Sequence, residues 1–170
     1  LSKDKPRIGI AWSGGTSNTG QKHRTATPEL FSDLIKQYDC EWVNLDYKPY
    51  NGDLPIKSWP RAVEKFCDLE DTFALVANMD LVITVCTSLV YFAGSQGIPT
   101  KVLVPNWPGY RYHLHGEDFW WHDSVQLHRG HFERLIKKEM TQHVEDIYRL
   151  RSTGSSGVSR IKSLDTQKIA

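Results

Sequence analysis

Leu81-Val82-Ile83-Thr84-Val85-Cys86-Thr87-Ser88 is the stretch whose reading decides the fold. Its first five residues form a near-continuous β-branched run, as expected of a strand buried on both faces. A helix then begins almost at once, from Ser88 to Gln96. Gly97 and Pro99 end it, glycine first and proline after. A doubly buried strand that runs straight into a helix is a building unit of a parallel α/β sheet.

The same alternation extends in both directions. Arg7-Ile8-Gly9-Ile10-Ala11-Trp12 reads as a first strand, followed by the glycine-rich loop Ser13 to Gly20. Thr27-Pro28-Glu29 reads as a helix start, and Leu30, Phe31, Leu34 and Ile35 fall on one helical stripe. Glu41 to Leu45 reads as a second strand. Asp46 to Pro60 reads as a loop. Asp71 or Thr72 is expected to cap a helix through Phe73, Val76 and Ala77. Lys101 to Val104 and Val125 to His128 complete the strands. A helix is expected from about Phe132 to Leu150. The fold class is therefore α/β, a Rossmann-like parallel sheet with helices on both faces. Residues 1–150 form one domain, and 151–170 a flexible Ser/Gly-rich tail.

Such sheets bind ligands beyond the carboxyl ends of their strands. Attention therefore falls on the loops after Trp12, Leu45, Val85 and Val104. Cys86-Thr87-Ser88 sits at a helix start, where free backbone N–H groups and the helix dipole attract anions. Two hydroxyls there suit a diphosphate, although an ordinary helix cap has the same composition. Ser13 and Gly14 open a loop that allows close backbone approach to a ligand. Lys22, His23 and Arg24 follow, with cations for phosphate oxygens. The glycines match neither the dinucleotide fingerprint nor a P-loop. Asn44, Leu45 and Tyr47 end the second strand, where backbone groups could read a base edge and the Tyr47 ring could stack on it. Cys86 reads as a packing residue, because no general base accompanies it.

The chain has 170 residues, 21 cationic and 20 acidic, and a net charge of +1. This balance favours neither a nucleic-acid polymer nor an anionic membrane. Cys40, Cys67 and Cys86 are not a disulfide framework, and they read as reduced thiols in a cytoplasmic protein. No run is long enough for a transmembrane helix. His113, His115, His122, His128 and His131 lack the spacing of a metal site. The aromatic cluster at Pro108 to Tyr112 and Trp120-Trp121 reads best as rings that pin an irregular loop to the sheet.

Taken together, these segments resemble the C-terminal domain of heptosyltransferase-like (ADP-heptose:lipopolysaccharide type) glycosyltransferases. The version at the end of bacterial tetratricopeptide-repeat proteins is the most similar. The resemblance is carried by Ile8 to Gly14, Arg24 to Leu30, Asp68 to Ser88, Ala93-Gly94, Gly97-Ile98-Pro99 and Pro108 to Tyr112. It implies the C-terminal half of a GT-B fold that binds a nucleotide-diphosphate sugar. Transfer to a hydroxyl acceptor would invert the anomeric carbon and need no metal or cofactor. The base would come from an N-terminal acceptor domain, which this chain does not include. Thr87 and Ser88 match the diphosphate-holding positions, and Lys22 and Arg24 the phosphate-facing cations. Asn44 to Tyr47 match the base-reading strand end. Cys86 stands where the family often has Asp, and Tyr91 where it often has His. These two departures raise the alternative of a non-catalytic nucleotide-sugar-binding or interaction module that has kept the fold.

Overall fold

The computed structural model describes residues 4–59, 62 and 68–152. Cys67 and residues 153–170 of the expected 151–170 tail lie outside the described residues; the first two of that tail, Arg151 and Ser152, end the last helix. Strand β1 is Arg7–Ala11. A short helix α1, Gln21–Arg24, follows the glycine-rich loop. A 3₁₀ turn at Pro28–Phe31 leads into α2, Ser32–Gln37. Next come β2, Glu41–Asn44, and β3, Ile56–Lys57. Helix α3, Leu69–Val76, precedes β4, Leu81–Val85. Helix α4, Leu89–Ser95, leads to β5, Thr100–Val104, and β6, Val125–Arg129. Helix α5, Phe132–Arg134, passes through a π-helical segment, Leu135–Met140, into α6, Thr141–Ser152.

The six strands are parallel and lie in the order β3-β2-β1-β4-β5-β6. This is the doubly wound order, which reverses between β1 and β4. Pleating separates the faces by residue parity. Ile8, Ile10, Leu81, Ile83 and Val85 point to one side, onto Phe31, Leu34, Leu135, Met140 and Val144. Ala11, Val43 and Val82 point to the other, onto Leu75, Val76, Leu89 and Ala93. A third cluster, under the β5–β6 end, gathers Cys86, Val90, Val102, Tyr112, Phe119 and Leu127. Both faces are therefore covered, and the central strand β4 is apolar or β-branched at every position for that reason.

Three expectations about local structure need correction. The helix at 69–76 is capped by Asp68, whose carboxylate accepts from the Glu70 N–H at 2.9 Å. Asp71 and Thr72 lie inside the helix. The stretch Asp46 to Pro60 is not wholly loop, because Ile56 and Lys57 pair with Trp42 and Val43 as an edge strand. Two residues are too few to show a period in sequence. The last helix is interrupted by the π segment, which hydrophobic spacing does not reveal.

That segment brings Glu139 against β6. His128 is buried, and its Nδ1 lies 2.6 Å from a Glu139 carboxylate oxygen. The His143 ring packs edge-on at 5.1 Å. Burial holds the His128 pKa below its ordinary value of 6.5, against the opposing pull of the Glu139 hydrogen bond; Lys101 also lowers it and Glu117 raises it. The unfolded chain therefore takes up a proton at a pH where the folded chain does not. Stability is expected to be full above about pH 6.5 and to fall as the pH drops below it. Urea unfolding at pH 7.5 and pH 5 measures this, and His128→Gln is expected to flatten the difference.

Candidate functional site

The reversal of strand order places the loops after β1 and β4 side by side at the carboxyl edge of the sheet. The β1 loop is held from three directions. First, Asp46, just beyond β2 and 1% exposed, accepts from the backbone N–H groups of Trp12 at 2.9 Å and Ser13 at 2.5 Å. Its other oxygen accepts from Lys48 N–H at 2.9 Å. Second, Gly14 N–H donates to the Thr25 hydroxyl at 3.2 Å. A Cβ on Gly14 would stand 2.5 Å from the Arg24 carbonyl oxygen, so the returning chain requires glycine here. Third, Ala26 N–H donates to Trp12 C=O at 2.8 Å.

Arg24 joins the two walls of the crevice. One terminal nitrogen donates to the Cys86 carbonyl at 2.7 Å, the other to the Thr19 carbonyl at 3.4 Å. The cation thus stands directly at the end of β4. Across from it, the Thr87 hydroxyl accepts from Leu89 N–H at 3.1 Å and caps α4. Ser88 is exposed and its side chain makes no cap bond. The Thr87 carbonyl accepts from the buried Tyr112 hydroxyl at 3.3 Å. Two buried polar atoms on the walls of this crevice, Ser13 Oγ and Arg24 Nε, have no hydrogen-bond partner among the described residues; Tyr91 Oη on α4 has none either, nor do Trp42 Nε1 and His128 Nε2 elsewhere in the sheet. Buried polar groups are nearly always paired, so the two at the crevice leave hydrogen-bonding capacity for a polar ligand.

The remaining expected site residues separate into distinct roles. Lys22 is exposed on α1. Asn44 is fully buried, and its amide bonds Lys48 C=O, the Ser58 hydroxyl and Asp46 N–H. Leu45 is buried, with its N–H on Ile10 C=O. Of this strand end, Tyr47 is the exposed ring, and its hydroxyl reaches Gly15 C=O and the Gln21 side chain. The Cys86 thiol turns into the apolar cluster under β5, and burial pushes its pKa up to about 12. The thiol is therefore kept protonated, with its Sγ 3.9 Å from the Leu103 carbonyl oxygen. The Tyr91 ring packs edge-on against Phe119 and Trp121. Burial raises its pKa.

Asp46, Thr25 and Tyr112 were missed as site residues by sequence reasoning. The signal for Asp46 was available. An acid directly after the second strand is where dinucleotide-binding folds place a ribose contact. Here its oxygens are turned inward, onto the β1 loop. Among the described residues no group of three or more His, Cys, Asp or Glu side chains gathers in a way that could hold a metal ion. No helix among them is long and apolar enough to cross a membrane.

Comparison with solved structures finds the same architecture in ADP-heptose lipopolysaccharide heptosyltransferase II of E. coli, with a TM-score of 0.56. The fold is heptosyltransferase-like. That match has 15% identity and covers 91% of this chain and 49% of the other. The glycosyl transferase family 9 structure from Veillonella parvula superposes with a TM-score of 0.53 at 11% identity, covering 84% of this chain and 40% of that one. At such identities the likeness is one of fold, the α/β layout of a GT-B glycosyltransferase. The chain matches no model of a known protein family. In sequence it is 25% identical over 131 residues to Protein FlbA of Caulobacter vibrioides, which covers 71% of this chain and 21% of that relative. The chain therefore spans about a fifth of that relative's length and about half of the E. coli enzyme's.

Proposed function

We propose that this domain binds the nucleotide-diphosphate-sugar donor of an inverting, metal-independent glycosyltransferase. The supporting observation is the crevice between β1 and β4, where Arg24 reaches the Cys86 carbonyl beside the Thr87-Ser88 turn and where Ser13 Oγ and Arg24 Nε have no partner among the described residues. The diphosphate would lie against the Thr87-Ser88 turn, with Arg24 and Lys22 as counter-charges. Stabilisation of the departing diphosphate by fixed donors and cations would replace a metal ion. Tyr47 is the ring available to stack on the base. The acceptor and the catalytic base would come from an N-terminal domain, in keeping with the 49% coverage of the E. coli enzyme. A role at the end of a tetratricopeptide-repeat protein, in the cytoplasm where nucleotide sugars are made, fits the same reading.

The test is calorimetric titration with ADP-, GDP- and UDP-sugars, with and without EDTA. One of the series is expected to bind below millimolar concentration, unchanged by EDTA and weakened by salt. No heat from any of them at millimolar concentration overturns the reading.

A second reading is favoured by Cys86. Its buried thiol offers no acid, base or hydrogen-bonding carboxylate at the turn. The domain would then bind a nucleotide sugar without transferring it. Donor hydrolysis or sugar transfer by the full-length protein would exclude this alternative.

A further inference from the structure

The loop between β5 and β6 is aromatic, and its rings have two different fates. Tyr112 and Phe119 are buried and stack on each other at 5.8 Å, which pins the loop to the sheet. Trp107, Tyr110, Trp120 and Trp121 do not pack in this way; they are 84%, 80%, 77% and 53% exposed. Leaving rings of this size in water forgoes the stabilisation that their burial would bring. Exposed apolar patches of this kind mark interaction sites.

The loop is braced. Arg129 donates to the carbonyls of Tyr112, His113, His115 and Gly116. Leu127 N–H donates to Glu117 C=O, and Asp118 bridges to Gln126. On this brace the His113 ring stacks on Trp120 at 3.9 Å and lies nearly parallel to Trp121, at 10° and 6.4 Å. One face of Trp120 is thus taken up by His113, and the ring, still largely exposed, is held in place before any ligand arrives, which lowers the cost of binding.

Charge selects the occupant. Residues 106–124 carry Glu117, Asp118 and Asp123 against Arg111, with no lysine, and the further cation that reaches the loop, Arg129 of β6, is engaged with its carbonyls. Stacking platforms for nucleic acid pair their rings with cations, and anionic lipid needs them too. A neutral polyhydroxyl ring needs the opposite: a flat apolar face for its C–H groups and acceptors for its hydroxyls. The platform also adjoins the crevice, because Tyr112 bonds Thr87 and Tyr91 packs on Trp121.

We propose that Trp120 and Trp121, with His113 stacked behind Trp120, form a carbohydrate-stacking face that takes a neutral sugar ring. The ring could belong to an acceptor glycan or to the donor's own sugar. That second source rests on the donor-binding reading above; the face itself does not.

The experiment is saturation-transfer NMR on the full chain with neutral gluco-, manno- and N-acetylglucosamine oligosaccharides, then with ADP-, GDP- and UDP-sugars. Transfer to oligosaccharide C–H protons without nucleotide identifies an acceptor glycan, and transfer to the sugar of a nucleotide sugar alone identifies the donor. Either supports the face if Trp120→Ala weakens binding by about tenfold, the scale of one aromatic stacking contact. Leu69→Ala, an exposed apolar change on α3, is expected to leave binding unchanged. No transfer to any sugar ring overturns the proposal, as does transfer that Trp120→Ala leaves intact. Concentration-dependent self-association lost in Trp120→Ala, with no sugar contact, would instead make the face a protein interface. Calorimetry with nucleotide sugars on Trp120→Ala keeps the two readings apart. Retained nucleotide binding without sugar-ring contacts sinks this face and spares the donor site. Oligosaccharide binding without nucleotide binding does the reverse.

Discussion

Asp46→Ala is expected to destabilise the domain by about 3–4 kcal/mol and to disorganise the β1 loop. The carboxylate is 1% exposed and accepts from three backbone N–H groups, those of Trp12, Ser13 and Lys48. A hydrogen bond to a charged acceptor contributes about 1.5–3 kcal/mol, and an abandoned buried donor costs a further desolvation penalty. Removing the buried charge returns part of this, so the three bonds do not sum. What remains is a large share of the roughly 5–15 kcal/mol that holds a domain folded. Asp46→Asn keeps one accepting oxygen but presents N–H groups where the second oxygen stood. It is expected to fall between wild type and alanine. Urea unfolding of the three proteins checks the order. A shift below about 1 kcal/mol for Asp46→Ala would show that water replaces the carboxylate and that the loop does not depend on it.

The parts of the fold that were legible in sequence are those that a buried face dictates. β4 declares itself because both of its faces are covered, so every position from Leu81 to Val85 is apolar or β-branched. The α2 stripe is visible because Phe31, Leu34 and Ile35 must meet the sheet. Helix starts were less legible. Asp68 and Asp71 both carry a carboxylate that can cap, and only geometry distinguishes them. β3 was invisible, because an edge strand of two residues has neither a period nor a buried face. The π segment was hidden for a different reason: Leu135, Ile136 and Met140 satisfy the spacing of an uninterrupted helix.

The candidate site was legible in position and less so in its division of labour. Topology pointed to the loops after Trp12, Leu45, Val85 and Val104, and the first and third of these are joined by the Arg24 bond to the Cys86 carbonyl. Sequence could not tell which polar residues face inward. Asn44 and Asp46 are alike in polarity and neighbourhood to Tyr47, yet both side chains are used within the fold. The aromatic loop was read as a pin. That holds for Tyr112 and Phe119, but not for the exposed tryptophans. Burial depends on where the chain turns back, and composition does not carry that information.

Arg24 offers the sharpest separation of donor binding from folding. Its terminal nitrogens already hold the Cys86 and Thr19 carbonyls, and its Nε is buried without a partner. A guanidinium keeps further donors in fixed geometry when some are occupied, which suits it to bridge protein carbonyls and a phosphate. Arg24→Met removes the cation while filling similar space. Donor affinity is expected to fall by about 100-fold, equivalent to roughly 2.7 kcal/mol for a charge-assisted contact. Arg24→Lys restores the charge but not the two-carbonyl brace, and is expected to bind about tenfold more weakly than wild type. The loss in folding stability is expected to be about 1–2 kcal/mol, because water can replace Arg24 at the exposed Thr19 carbonyl, whereas the Cys86 carbonyl, on a residue 1% exposed, loses its partner. Calorimetry and thermal unfolding on the same samples distinguish the outcomes. If Arg24 serves only as a brace, the melting temperature drops while the folded fraction binds donor as wild type does. If it faces the diphosphate, affinity falls much further than stability, and the salt dependence of binding becomes shallower in Arg24→Met.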